Sequence, residues 1–599
     1  MSRLVLYGLM ALIALTGCDR SVKRRKPRAK PEALAADALD STTARELEAK
    51  QLFARRGGQV EELPDGQVVG LALQLRGDLQ PDDFSHLVKL PHLRRFNAYR
   101  SPLKDAEIRN LPDWQSLEWL TLTGSQITDT GSLKLNRFTN LRRLELDHTQ
   151  AGDEILKSLA GMPHLEFLNL NRSQVSDRGL QSLSAMKGLR FLYLQGTAVT
   201  DAGVQLLAQS NQLYGLSLEN TAVTDDGITE IAEMTSLKGL TLRGTKVTDK
   251  GLEYFDQLRD LRELNLSNTR LTSKGISKLG ELDELVWLDI HRTGVDDSAM
   301  AVVGGFSKLM RLDLRYTSVS DAGLPLLHKL AELRELNLWE TKVTDAGLKE
   351  IGQLEQLTLL GLPDCITDAG LAALRNLKHL TTLSLSETQV TDAGMFVVGE
   401  LTTLETLNIN GTEVGDQGLA ALAGLTNLKV LDLTENAVTD AGMRHLQSLT
   451  QLEELRLTSS KVGDAGLAAL SHLTALRFLY LVDTKVTDTG MPALAKLENL
   501  NTLDLRFTKV GDAGIMEVSR LPHLTTLGLN DTPVTDAGLK HLLECRTLKA
   551  LGLDNTAVTD AGVDTLCLMK TLILLDLPSR ISTAAINRLR TALPTCQIN

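Results

Sequence analysis

A leucine recurs every 24 residues from Leu93 to Leu572, and that period leaves few folds open to the chain. The step is broken once, by a 23-residue interval between Leu357 and Leu380, and all twenty-one members of the column are Leu. The stretch Leu333–Gln356, LRELNLWETKVTDAGLKEIGQLEQ, shows what one unit holds. Leu333, Leu336 and Leu338 have strand spacing, Val343 closes a turn, and Leu348, Ile351 and Leu354 step by three along a short helix. One strand and one short helix cannot bury these seven side chains alone. Stacked copies remove each apolar set from water against its neighbours, which is the logic of a solenoid.

The pattern LxxLxLxxT followed by VTDAGL resembles the leucine-rich repeat family, over roughly 530 of 599 residues. The resemblance implies an α/β fold: a curved solenoid of about 21–22 repeats with a parallel sheet on its concave face and short helices on its convex face. Thr341 stands where that family usually has Asn or Cys, whose side chain bonds backbone between neighbouring turns. The Thr column, from which Cys365 and Asn436 depart, is expected to do the same. Thr344 and Asp345 are expected to accept from free helix N–H groups, and Gly347 to permit close approach of adjacent turns. A ladder of Asp at every helix start favours capping over Ca²⁺, because a metal site converges several ligands on one point.

The chain divides into residues 1–17, 18–31, 32–75, 76–580 and 581–599. Residues 1–17 hold one Arg and an apolar run from Leu4 to Leu15 that is short for a bilayer span. Leu15-Thr16-Gly17-Cys18 resembles a bacterial lipobox. That resemblance implies a signal peptide cleaved before Cys18, lipidation of Cys18, and a bacterial cell-envelope protein anchored to a membrane on its periplasmic or surface side. Asp19 leans towards inner-membrane retention. Seven basic residues between Arg20 and Lys30 pull the other way, since positive flanks favour the cytoplasm; they are read as a solvated tether with some contact to an anionic surface.

Residues 1–31 hold eight Lys or Arg and one Asp, a charge of +7, so the −11 of the whole chain leaves −18 for the remainder. An acidic array argues against nucleic acid, whose phosphates need a basic face. Residues 32–75 read as a helix, Glu32–Arg56, then a hairpin turning at Pro64-Asp65-Gly66, together capping the first layer. Residues 581–599 form the other cap, with PTCQIN breaking the pattern. The 23-residue turn carries Pro363 at its strand end and is expected to kink. Cys365 and Cys545 read as buried thiols, and Cys567 and Cys596 are candidates for a disulfide in the cap.

No P-loop, nucleophile elbow, dinucleotide fingerprint, HExxH or Cys/His metal spacing appears, so neither enzyme chemistry, cofactor nor metal is implied. His291 with Asp289 and Asp313 is the one arrangement that suggests catalysis, and three polar residues on a solvated sheet explain it more simply. Where Leu336 and Leu338 point inward, Glu335, Asn337 and Trp339 point onto the concave face, with Glu340 at its edge. The four equivalent offsets in all turns hold 11 of the 22 aromatic residues, a concentration that suggests recognition. The densest patch joins Trp287, Asp289, His291 and Arg292 to Arg311, Asp313, Arg315 and Tyr316, and these to Glu335, Asn337, Trp339 and Glu340. A second patch holds Trp119, Arg143, Phe167, Phe191 and Tyr193, and a third Phe478, Tyr480, Arg506 and Phe507. The expected function is a non-catalytic, envelope-anchored scaffold that binds a protein or peptide ligand. The rival readings are a glycan-binding module and a structural spacer.

Overall fold

The computed structural model describes residues 41–55, 58–63, 67–73, 81–101, 103–132, 134–209, 212–594 and 596–599. The leader at 1–17, Cys18, the basic segment, the start of the first expected helix and the turn at 64–66 lie outside the described residues. Among the described residues no helix is long and apolar enough to cross a membrane.

Among the described residues twenty-four strands, most of them three residues long, form one unclosed sheet in which each pairs with the next along the chain. Gln59–Glu62 and Val68–Ala72 make an antiparallel hairpin, and the pairs that follow are parallel. Register follows the repeat, so Leu264, Leu288, Leu312 and Leu336 are direct neighbours. Short α or 3₁₀ helices such as Leu324–Lys329 and Leu348–Ile351 return the chain to the next strand. Leu333, Leu336, Leu338, Val343, Leu348 and Ile351 are all buried in one core that runs the length of the array. The helix Ser41–Arg55 joins that core through Ala49 and Phe53.

Most strands leave the sheet through a four-residue corner. The Thr341 N–H donates to Leu338 O at 3.1 Å and Glu340 takes φ +55°, as the third residue of such a turn requires. This left-handed position recurs in nineteen turns and is a residue other than glycine in fifteen. The Thr column serves the same corner, which corrects the expectation of a bond between turns. The Thr341 hydroxyl donates at 2.6 Å to Leu338 O, three residues back in its own turn. A hydroxyl on a short side chain reaches no further. Asn436 is longer and does cross, donating from Nδ2 to Ile409 O at 2.6 Å while accepting from Thr412 Oγ1.

The VTDAG segment also differs from expectation. In some turns the Thr caps its helix weakly, as Thr200 does by accepting from the Ala202 N–H at 3.3 Å, but the Asp carboxylate reaches forward to the next turn. Asp321 accepts from the Thr344 N–H at 2.7 Å and from its hydroxyl at 2.6 Å, and the pattern repeats from Asp105–Thr128 to Asp536–Thr559, with Gly in place of Thr in some turns. Where Ser273 replaces Asp, its partner is Asp296 rather than Thr, and the serine hydroxyl donates to that carboxylate at 2.6 Å. The two roles have exchanged sides. Gly347 permits this packing, since a Cβ there would lie 2.3 Å from Asp321 Oδ1 and 2.7 Å from Leu324 Cδ1.

The 23-residue turn keeps its sheet register, with Leu359–Gly361 paired on both sides. Its missing residue lies in the corner. In other turns the residue after Thr donates its N–H to a carbonyl of the preceding turn, as Lys342 does to Val319 O. Here the Cys365 thiol, half-buried rather than buried, donates to Val343 O at 3.0 Å. Pro363 leaves the ladder intact, because its counterpart Trp339 spends its N–H on Asn337 Oδ1. At the C-terminus, Gln597–Ile598 continues the pattern instead of breaking it, adding a last parallel strand after the helix Thr583–Ala592. Cys567 and Cys596 are unbridged, and burial pushes the Cys596 thiol up to about 11.

Candidate functional site

Outward residues fall into rows because register is preserved from strand to strand. One row runs Gly239, Glu263, Trp287, Arg311, Glu335, Leu359, and the next Thr241, Asn265, Asp289, Asp313, Asn337, Gly361. Strands lie about 4.8 Å apart, so three adjacent turns bring a dozen side chains into one neighbourhood.

Eleven of the twelve residues of the central patch line two adjoining hollows. One, of about 460 Å³, is bordered by Trp287, Arg311, Asp313, Glu335 and Asn337. The other, of about 380 Å³, is bordered by His291, Arg292 and Tyr316, and Asp289, Arg315 and Trp339 border both. These volumes are of ligand-pocket size. The twelfth, Glu340, lies outside on an exposed left-handed corner. Gly361 opens one side of the larger hollow, where Asn337 Oδ1 occupies the space of a Cβ.

The charges are arranged in pairs. Arg315 forks onto Asp313 with Nε 2.9 Å from both oxygens and Nη2 2.6 Å from Oδ2. Burial works to lower the Arg315 guanidinium, and the bonds to Asp313 outweigh it and raise it. Arg311 Nε meets Glu335 Oε1 at 2.9 Å, and burial still raises the Glu335 carboxyl against that attraction. His291 Nδ1 lies 2.7 Å from Asp289 Oδ1, and Asn265 Nδ2 donates to Asp289 Oδ2 at 3.1 Å. Burial raises the Asp289 carboxyl, the His291 bond opposes the shift and the nearby Asp313 charge adds to it. The ligand-type atoms of Asp289, His291 and Asp313 lie within 4.8 Å of one another. The fork of Arg315 already supplies a cation to Asp313.

Aromatic rings wall the site. Tyr316 and Trp339 meet edge-on at 4.9 Å, and the Arg292 guanidinium sits 4.4 Å from the Tyr316 ring centre. Of the buried side-chain atoms without a hydrogen-bond partner among the described residues, two belong to residues that border these hollows, Trp339 Nε1 and Glu263 Oε1. Glu263, 3% exposed, was not picked out from the sequence. The available signal was an acid flanked in its row by a glycine and a tryptophan. Burial pushes its carboxyl up to about 7, against a smaller pull from the Arg311 charge.

The second patch is a stack. The Arg143 guanidinium lies 4.7 Å from the Trp119 ring centre and 3.7 Å from that of Phe167, which meets Tyr193 at 5.0 Å and Phe191 at 6.3 Å. Tyr214, missed because it sits one residue after the leucine column, extends it edge-on to Phe191. In the third patch Arg506 is held by Asp504, the Arg456 guanidinium approaches the Tyr480 ring, and Phe507 is an exposed left-handed corner. A wider hollow of about 700 Å³, bordered by Arg477, His523, Arg546 and Lys549, holds none of the buried unpartnered side-chain atoms.

A family model described as a leucine-rich repeat region matches residues 357–591, and one described as a leucine-rich repeat matches 161–184 and 257–280. No curated protein matches the chain. Among solved structures it is similar to an internalin, InlF, from Listeria monocytogenes, with 24% identity over 55% of this chain and 94% of that one and a TM-score of 0.45. It is also similar to TLR13 in complex with ssRNA13, at 16% identity over 83% and 87% with a TM-score of 0.49. A leucine-rich repeat protein of Leptospira interrogans is 19% identical over 86% and 98%, with a TM-score of 0.33. With the matched segments and a 24-residue leucine ladder carried on successive parallel strands, this chain is a leucine-rich repeat protein.

Proposed function

We propose that the chain is a non-catalytic binding scaffold, held at the bacterial cell envelope by a lipid on Cys18, that takes a protein or peptide ligand on the open face of its sheet. The observation that carries this reading is the central patch. Trp287, Tyr316, Trp339 and Arg315 border hollows that also contain unpartnered buried polar groups. Buried Trp, Tyr and Arg are the side chains on which binding energy concentrates, and unmet hydrogen-bonding groups favour a partner that meets them. The fork of Arg315 onto Asp313 supports recognition over proton transfer by that carboxylate. The net charge of −18 outside the basic segment supports a ligand other than nucleic acid.

Combined alanine replacement of Trp287, Arg315 and Trp339 is expected to weaken capture of the envelope partner by about 100-fold while leaving the melting profile cooperative. Unchanged capture by a normally folded variant would reject the patch, and displacement by soluble glycan fragments would replace the protein ligand with a sugar. Cys18→Ser is expected to move the protein from the salt-washed membrane fraction to the soluble fraction. Persistence in the membrane would refute the lipid anchor.

A further inference from the structure

Among the four carboxylates that border the larger hollow, three have a basic partner and one does not. Asp289 is bonded by His291, Asp313 by Arg315 and Glu335 by Arg311. Glu263 lines the same hollow with Oε1 buried and unbonded. Its row neighbour on one side is Gly239, which brings no side chain, and on the other Trp287, whose ring brings apolar surface. A buried carboxylate without a cation is costly, and an indole N–H without an acceptor is costly too. Folding alone gains nothing from leaving both unmet in one hollow. A ligand that meets both gains twice.

The spacing of the two groups narrows the ligand. Glu263 and Trp339 are three strands apart and four residues out of line. The three strand intervals alone put about 14 Å between the two Cα atoms, and Trp339 lies further out, in the corner beyond its strand. Six extended residues cover that distance. We propose, on the footing of the scaffold reading, that the hollow binds an extended peptide whose lysine or arginine side chain supplies the missing cation at Glu263 and whose main-chain carbonyl accepts from Trp339 Nε1. The Trp287 ring beside Glu263 adds a cation–π surface for the same head group. Titratable groups near Glu263 are Asp289 and His291 on the adjacent strand, Arg311 and Asp313 one strand beyond, and Lys238 and Arg243 beside the strand on its other flank. Arg243 is drawn to Glu219, 3.3 Å away, and Lys238 to the Tyr214 ring, 5.0 Å away.

The test uses the whole chain and pools of acetylated, amidated hexapeptides, randomised except for one position fixed as Lys, Arg, Glu or norleucine. At pH 8 the Lys and Arg pools are expected to be retained roughly tenfold over the norleucine pool, and the Glu pool least. That ratio should shrink at pH 6, where Glu263 is largely protonated. Glu263→Gln should abolish both the ratio and its pH dependence, leaving norleucine retention unchanged. Trp339→Phe should lower all pools alike and keep the ratio. Equal retention of Lys and norleucine pools, no retention of any pool at about 1 mM, or a basic preference that survives Glu263→Gln overturns the proposal. If the triple alanine variant loses the envelope partner and the pools still show no basic preference, this inference falls and the scaffold reading stands.

Discussion

Raising the pH from 5 to 8 is expected to destabilise the centre of the array by about 2.5 kcal/mol through Glu263 alone. Its carboxyl stands near 7 in the fold against an ordinary 4.5. Between those values the folded chain keeps a proton that the unfolded chain has released. Stability from this group is therefore full below pH 4.5, falls as pH rises through the window, and is level above 7. Asp289 is raised in the same sense and adds to the slope. The measurement is amide exchange of Leu264 and Leu288 in wild type beside Glu263→Gln, since a repeat array opens locally before it unfolds as a whole. The variant retains the Asp289 contribution, so the difference isolates Glu263. Parallel pH profiles for the two proteins would refute the assignment.

Gly347→Ala is expected to cost about 2–3 kcal/mol, although Gly347 has φ −70° and ψ −23°, where alanine is comfortable and favoured by helix propensity. The loss is steric. The new methyl would lie 2.3 Å from an Asp321 oxygen that is fixed by the Thr344 N–H, and 2.7 Å from the buried Leu324. Asp321→Ala removes one of those obstacles and two hydrogen bonds. In denaturant titrations the double variant should therefore be less damaged than the sum of the singles, as expected for neighbours that share a contact. Strict additivity would show that the carboxylate does not set the fit.

The inward residues made the fold legible. Leu333, Leu336 and Leu338 announce a strand by spacing, and their repetition announces the stack. Bond partners were less legible than positions. Thr344 and Asp345 were legible as polar residues at a helix start, but the bond that ties Thr344 to Asp321, 23 residues back, is a property of stacking, invisible within one unit. The left-handed corner was hidden for another reason. Fifteen of its nineteen occupants are ordinary residues such as Arg292, Tyr316 and Glu340, because the neighbouring turns impose a backbone conformation that glycine would otherwise signal. At the site, alternation alone placed Trp287, Arg315 and Trp339 on one face. Glu263 escaped because its importance lies in what it lacks, a partner, and that becomes visible once the positions of Arg311, Arg315 and His291 are known.

The forward reach of each carboxylate gives the array a polarity. Every turn offers an acceptor to its successor and takes one from its predecessor, starting at Asp105 and ending where the Ser582 N–H meets Asp560 at 2.9 Å. Away from the reversed pair Ser273–Asp296, a whole unit can be gained or lost without leaving an unmatched group at the seam, since the newcomer carries one half of each bond. The shortened turn obeys the same rule, with Thr367 held by Asp345 across 22 positions instead of 23. Length is thus free to drift by duplication and deletion, while the face residues, different in every unit, record where in the array each copy stands.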